Sequence, residues 1–200
     1  MTPLASNTEP PERVPALPHT HPLADFYKQA GLTLPDIERI PGAEVPEPYR
    51  ALLVHDDDMT PTLRRFHGRK IHIRVLSRHQ RDGFYFREVV LLLDGSGAPV
   101  EFGAIKINLN LFAPEPRRLI EEERLPLGQI LEDHQVPHVS KPSAFLRLRS
   151  DAFINRALNL EGSPLLFGRR NTLVDPQQRA LAEIVEILPP TAPQQPSLNH

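Results

Sequence analysis

One arginine stands inside an apolar run. Residues 84–93 read FYFREVVLLL, and Arg87 shares its alternate side with Tyr85, Val89, Leu91 and Leu93. A charge in such a row needs a partner, because an isolated buried charge is very costly. Two partners fit. A neighbouring carboxylate would make a structural ion pair, which the spacing by itself favours. A substrate carboxylate would make Arg87 a clamp, since guanidinium grips carboxylate oxygens in a fork.

Glu183 and Glu186 stand in ALAEIVEILPP. In a strand, residues three apart face opposite sides, so only one of them can point to a given core. Glu186 keeps company with Ala182, Ile184 and Leu188, and Glu183 with Val185 and Ile187. Both sides are apolar, so parity does not choose between them. A carboxylate in a water-poor pocket could act as acid or base; the plainer reading is an exposed edge-strand glutamate. Arg169 and Arg170, after Gly168, also point to opposite faces, and one of them could line an anionic pocket.

The run His55-Asp56-Asp57-Asp58 offers oxygen ligands for a hard cation. No EF-hand spacing follows it, and a solvated turn with a helix cap is the better reading. His67, His72 and His79 lack HExxH spacing. Cysteine is absent, which excludes disulfides, thiolate nucleophiles and cysteine metal sites. No GxSxG, P-loop or dinucleotide glycine fingerprint is present.

The elements that must hold these residues follow from periodicity. Leu23–Leu32 has helical spacing and Gly31 to end it. Glu47–Phe66 reads as a helix, a polar turn and a second helix starting near Thr60-Pro61. Lys70–Ser77 alternates as a half-buried strand. Phe84–Leu93 is apolar on both faces, as a central strand is. Val100–Leu111 completes a hairpin with it. Helices are expected over Glu115–Arg124 and Pro126–His134. A short strand follows at Ala144–Arg149, then a helix capped by Ser150 or Asp151 through Leu158. The last strand pair is Leu165–Val174 and Arg179–Leu188. Strand pairs interrupted by helices predict an α+β fold: a single, mainly antiparallel sheet with helices packed on it.

Ten of the 23 prolines fall in the first 50 residues, and four lie between Pro189 and Pro196. Proline removes backbone donors and fixes φ. Residues 1–46 therefore read as an arm with one short helix, residues 47–190 as the domain, and 191–200 as a disordered tail. Charge is balanced, 23 basic against 25 acidic residues. That argues against a nucleic-acid partner held by bulk electrostatics. No apolar run is long enough for a membrane span, and the N-terminus lacks a secretory pattern. A cytoplasmic protein is expected.

In order, LLVHDDDMTPTLRRFHG, FREVVLLLDGSGAPVEFG, LPLGQIL, LFGRRNTLVD and AEIVEILPP resemble the chorismate pyruvate-lyase family, in its divergent branch, over roughly residues 50–190. That fold is shared with effector-binding domains of GntR-type regulators. The resemblance implies an internal pocket enclosing an aromatic acid, with no cofactor or metal. Arg87 would grip the acid's carboxylate, helped by the backbone at Met59 and the amide of Leu127. Glu186, with Glu183 as its alternative, would meet the hydroxyl end of the ring. Leu91, Ile105 and Met59 are candidate walls. Family members carry an arginine where this chain has Ala104; Lys106 or Arg170 could supply that charge.

The implied reaction is loss of pyruvate from chorismate to give 4-hydroxybenzoate, a step of quinone biosynthesis. The alternatives are a non-catalytic binder of an aromatic or anionic metabolite, and a lyase giving a different hydroxybenzoate. Regulators with this fold carry a winged helix ahead of it. The 46 proline-rich residues here are too few and too irregular for one, which lowers the regulator reading. Oligomeric state is open.

Overall fold

The computed structural model describes residues 18–191. Residues 1–17 of the expected arm and 192–200 of the expected 191–200 tail lie outside the described residues.

Seven strands form one sheet in the order β1-β5-β6-β7-β4-β3-β2. They are β1 (Ile37–Ile40), β2 (Ile71–Arg81), β3 (Phe84–Leu93), β4 (Pro99–Asn108), β5 (Val139–Arg149), β6 (Leu165–Val174) and β7 (Ala180–Leu188). Every neighbouring pair is antiparallel. Six helices cover the sheet: α1 (Leu23–Gln29), α2 (Tyr49–Leu53), α3 (Met59–His67), α4 (Pro114–Glu122), α5 (Leu127–Asp133) and α6 (Ala152–Leu158).

Both faces of the sheet are covered, which explains why β3, β4 and β7 carry nearly continuous apolar sequence. On one face α1 and α6 pack over Phe86, Val90, Phe102, Leu146, Leu166 and Ile187. On the other, α2 to α5 pack over Val89, Leu91, Ile105, Leu173 and Ile184. We call these the α1/α6 face and the α2–α5 face. β6 and β7 approach so closely that a Cβ at Gly168 would sit 2.3 Å from the backbone oxygen of Glu186. Only glycine fits there.

Several boundaries move. The segment Ile37–Ile40, placed in the arm by its prolines, is the edge strand β1 on β5, with Ile37 and Ile40 buried. α1 is core rather than arm: Leu23 is fully buried, Phe26 meets the rings of His79 and Phe86, and Tyr27 donates to Asp151 at 2.9 Å. Sheet and core thus both include residues before 47. Proline density misleads here because prolines that flank a short element do not interrupt it. α3 begins at Met59 with Asp58 at the N-cap, two residues before the Thr60-Pro61 start. Pro61 still lies in the first turn, where no N–H is needed. β5 begins at Val139, with a register shift between Pro142 and Ala144 that hides it from simple alternation. β4 ends at Asn108, where Leu109–Leu111 turns into a single 3-10 turn. At α6, Asp151 accepts from the N–H groups of Phe153 and Ile154, so of the two expected caps Asp151 serves.

Among the described residues no helix is long and apolar enough to cross a membrane.

Candidate functional site

A cavity opens between the α2–α5 face and the starts of two helices. Its floor is a grid set by strand register. On β3, Arg87, Val89 and Leu91 stand opposite Ile105, Gly103 and Glu101 of β4. On β7, Ile184 and Glu186 stand opposite Ile105 and Gly103. On β6, Asn171 and Arg169 stand opposite Ile184 and Glu186. The roof is Met59 and Thr60 at the start of α3, and Pro126, Leu127 and Gly128 at the start of α5.

Arg87 is fully buried. Its Nη1 reaches the carbonyl of Ile120 at 3.5 Å, and its Nε and Nη2 have no hydrogen-bond partner among the described residues. Burial opposes its charge, and Tyr85 and Glu123 partly offset that. Glu123 is itself bonded to Tyr85 and Arg78. Among the described residues no carboxylate comes within ion-pair distance of Arg87, although Tyr85 and Glu123 act on its charge; the guanidinium lines the cavity with donors to spare.

The helix starts add to that positive end. The first amides of a helix have no acceptor within it, and neither Asp58 nor Pro126 caps them with a side chain. Asp58 instead bonds His138 Nε2 at 2.8 Å. That contact, and the His138 bond to Val136, lifts the imidazole above its ordinary value against the effect of burial. The other members of the run do not converge on it. Asp57 pairs with exposed Arg65, and His55 bonds the carbonyl of Leu52.

Glu186 closes the other end and settles the parity question: it lines the cavity, and Glu183 does not. Arg169, fully buried, donates its Nε to Glu186. Its other donors go to the carbonyls of Leu53, His55 and Asp57, locking the loop before α3 to the sheet. Glu101 lies beside Glu186, 4% exposed, with Oε2 unpartnered among the described residues. Burial, then the charge of Glu186, pushes its carboxyl well above the usual range, against a smaller pull from Arg169. Asn171 contributes a buried side-chain oxygen, also unpartnered among the described residues, while its amide nitrogen donates to Ser140 at 2.7 Å.

Of the residues expected at the site, the structure brings together Arg87, Glu186, Met59 and Leu127, with Leu91 and Ile105 as walls. Arg170 and Lys106 lie across the sheet, on the α1/α6 face, where both bind Glu183 at 2.9 Å. Ala104 packs in the core of that same face. Those side chains point away from the cavity, because each is one residue out of step with the cavity-facing set. Among the cavity residues that the sequence left unassigned are Glu101 and Asn171, and Arg169 braces Glu186 from beside the cavity. Arg169 was one of two arginines of opposite parity. Glu101 shares its parity with Gly103 and Ile105, a signal that is legible only once the cavity face is known.

No protein-family model matches the chain, and no curated protein matches its sequence. Among solved structures it is similar to PhnF from Mycobacterium smegmatis, 12% identical, with a TM-score of 0.50 over 82% of this chain and 92% of that one. The effector domain of the same protein aligns at 14% identity and TM-score 0.49, covering 66% of this chain and 87% of that one. A GntR-family transcriptional regulator from Bacillus cereus aligns at 9% identity and TM-score 0.42, covering 64% of this chain and 99% of that one. The likeness to PhnF shows a shared fold, a single antiparallel sheet with helices packed on it.

Proposed function

We propose that the cavity binds an aromatic acid and that the chain acts as a chorismate pyruvate-lyase. The observation that carries this reading is Arg87, a buried guanidinium with two nitrogens unpartnered among the described residues, at the wall of a largely apolar cavity. A buried cation with donors left over is costly unless a ligand anion completes it. A ligand carboxylate would take Arg87 and the free amides at the starts of α3 and α5. Val89, Ile105, Ile184 and Leu173 would hold the ring. Glu186 would face the ring's far end as a hydrogen-bond acceptor.

The chemistry asks for little more than placement. The ring–oxygen bond to the enolpyruvyl group breaks, and its electrons leave with that oxygen. One ring proton leaves, the ring becomes aromatic, and the enol tautomerises to pyruvate. Arg87 would fix the ring carboxylate so that the leaving group stands where side chains can reach it. Glu186 would stabilise or accept charge at the hydroxyl end. The test is incubation of the protein with chorismate and chromatography for 4-hydroxybenzoate and pyruvate. Turnover is expected, falling at least 100-fold in Arg87→Ala by the usual cost of losing a buried charged hydrogen-bond partner and unchanged in Lys28→Ala. No turnover by a folded protein would sink the lyase reading, and a different hydroxybenzoate would relocate it.

A second reading is a non-catalytic binder of the same class of ligand. It is favoured by the tight pairing of Glu186 with Arg169, which leaves that carboxylate committed rather than free for proton transfer. A thermal shift with 4-hydroxybenzoate and no turnover of chorismate would select it.

A further inference from the structure

Glu101 is a second carboxyl in the cavity, and its surroundings differ from those of Glu186. Gly103, two residues along β4, stands opposite Glu186. A Cβ at Gly103 would come within 3.1 Å of Glu101 Oε1. The Glu101 carboxyl therefore folds over the bare glycine, towards the position of Glu186. One cation, Arg169, serves this corner, and its hydrogen bonds go to Glu186, to backbone carbonyls and, at 3.5 Å, to His55. Arg87 stands opposite Ile105, four residues from Glu101 along β4 and so roughly 13 Å away. Around the rest of the cavity, Asp58 is occupied by His138, His55 bonds the carbonyl of Leu52, and Glu123, beside Arg87, is held by Tyr85 and Arg78. Two ionised carboxylates in a buried corner with one cation would repel, and the one without a hydrogen-bonded cation is the one that keeps its proton.

We propose that Glu101 is a neutral carboxylic acid built into the cavity as a hydrogen-bond donor. Paired with Glu186, it selects ligands whose end remote from Arg87 carries a hydroxyl group. A hydroxyl both donates and accepts: it gives its hydrogen to Glu186 and takes one from Glu101. A ligand with hydrogen at that position leaves Glu101 Oε2 without a partner, as it stands among the described residues. The selectivity rests on the aromatic-acid reading above; the neutral state of Glu101 does not.

Two measurements test this. The first is calorimetric titration of the protein with 4-hydroxybenzoate and with benzoate, for wild type, Glu101→Gln and Glu101→Leu. Wild type should prefer the hydroxylated acid by about tenfold, the worth of one buried hydrogen bond. Glu101→Gln, whose amide still donates, should keep that preference. Glu101→Leu should bring the ratio close to one. Raising the pH until Glu101 ionises should erode the preference in wild type and leave Glu101→Gln unaffected. The second is the infrared difference between ligand-free wild type and Glu101→Gln at neutral pH, where a protonated-carboxyl C=O band should be lost. Undiminished preference in Glu101→Leu overturns the selectivity, and a missing band overturns the neutral acid. If wild type binds neither compound, the aromatic-acid reading and the selectivity fall together, while the band still decides the state of Glu101.

Discussion

On the α1/α6 face, Glu183 sits between Lys106 Nζ and Arg170 Nη2, each at 2.9 Å, with His21 at 3.7 Å. On the α2–α5 face, Arg87 and Glu101 are at least as deeply buried, and each keeps an atom or more without a partner among the described residues. The same strands carry both sets. On one face, the buried carboxylate is matched by cations of the chain itself, so the cluster holds the sheet to α1. On the other, the cation and the acid lie at opposite ends of a cavity, too far apart to serve each other. A charge whose counter-charge the protein supplies reads as structure, even where one donor, such as Arg170 Nε, is left over among the described residues. A charge left incomplete at the wall of a cavity reads as half of a binding site.

The sharpest way to break this comparison is to make each face's arginine apolar. Arg87→Met should weaken 4-hydroxybenzoate binding by about 100-fold or more, since a charged hydrogen-bond partner is lost. It should leave the ligand-free melting temperature unchanged or higher, because replacing an incompletely compensated buried charge with an apolar side chain removes a desolvation cost. Arg170→Met should do the reverse: a lower melting temperature and unaltered binding. Titration calorimetry and thermal melts on both variants decide it, and a destabilised Arg87→Met would show that Arg87 is structural after all.

Glu183→Gln strips the cations of the α1/α6 face of their counter-charge. A loss of about 2–3 kcal/mol is expected at neutral pH, at the low end for a broken buried pair because the cluster is partly solvated. Burial works to raise the Glu183 pKa, but His21 and Lys106 outweigh it and hold it at about 2. A depressed carboxyl stabilises the fold above the ordinary glutamate range, and that contribution is lost as pH falls through about 2. The deficit of Glu183→Gln should therefore shrink in acid. A deficit independent of pH would mean that packing, and not charge, is at stake.

The smallest effect is expected at the cavity rim. His138 holds Asp58 and so the start of α3. Its raised pKa means that the contribution is complete below the ordinary imidazole value of about 6.5 and fades as pH rises through the folded value. His138→Ala should cost about 1 kcal/mol in mild acid, a few degrees of melting temperature, and less in base. A cost that grows with pH would contradict this assignment.

Much of this fold is legible in the sequence, and the reasons are local. Phe84–Leu93 and Leu165–Val174 are strands with the bounds their composition suggests, because β-branched and aromatic runs ending in turn residues have few other outcomes. Arg87 is conspicuous for the same reason, being a charge where the pattern calls for an apolar side chain. β1 was hidden because four residues carry too little periodicity to be seen, and its stability comes from pairing with β5.

What the sequence determined by itself is a set of opposites: Glu183 against Glu186, Arg169 against Arg170, Lys106 against Ile105. Strand geometry guarantees that the members of each pair part company. It cannot say which member meets a cavity, because the two faces of a central strand are equally apolar. That was decided by the tertiary structure, when α2 to α5 closed over one face without filling it and α1 and α6 packed the other. Glu101 shows the difference most clearly. In sequence it is one glutamate beside a turn; in the fold it is a buried acid lying over Gly103, near Glu186 and without a cation of its own.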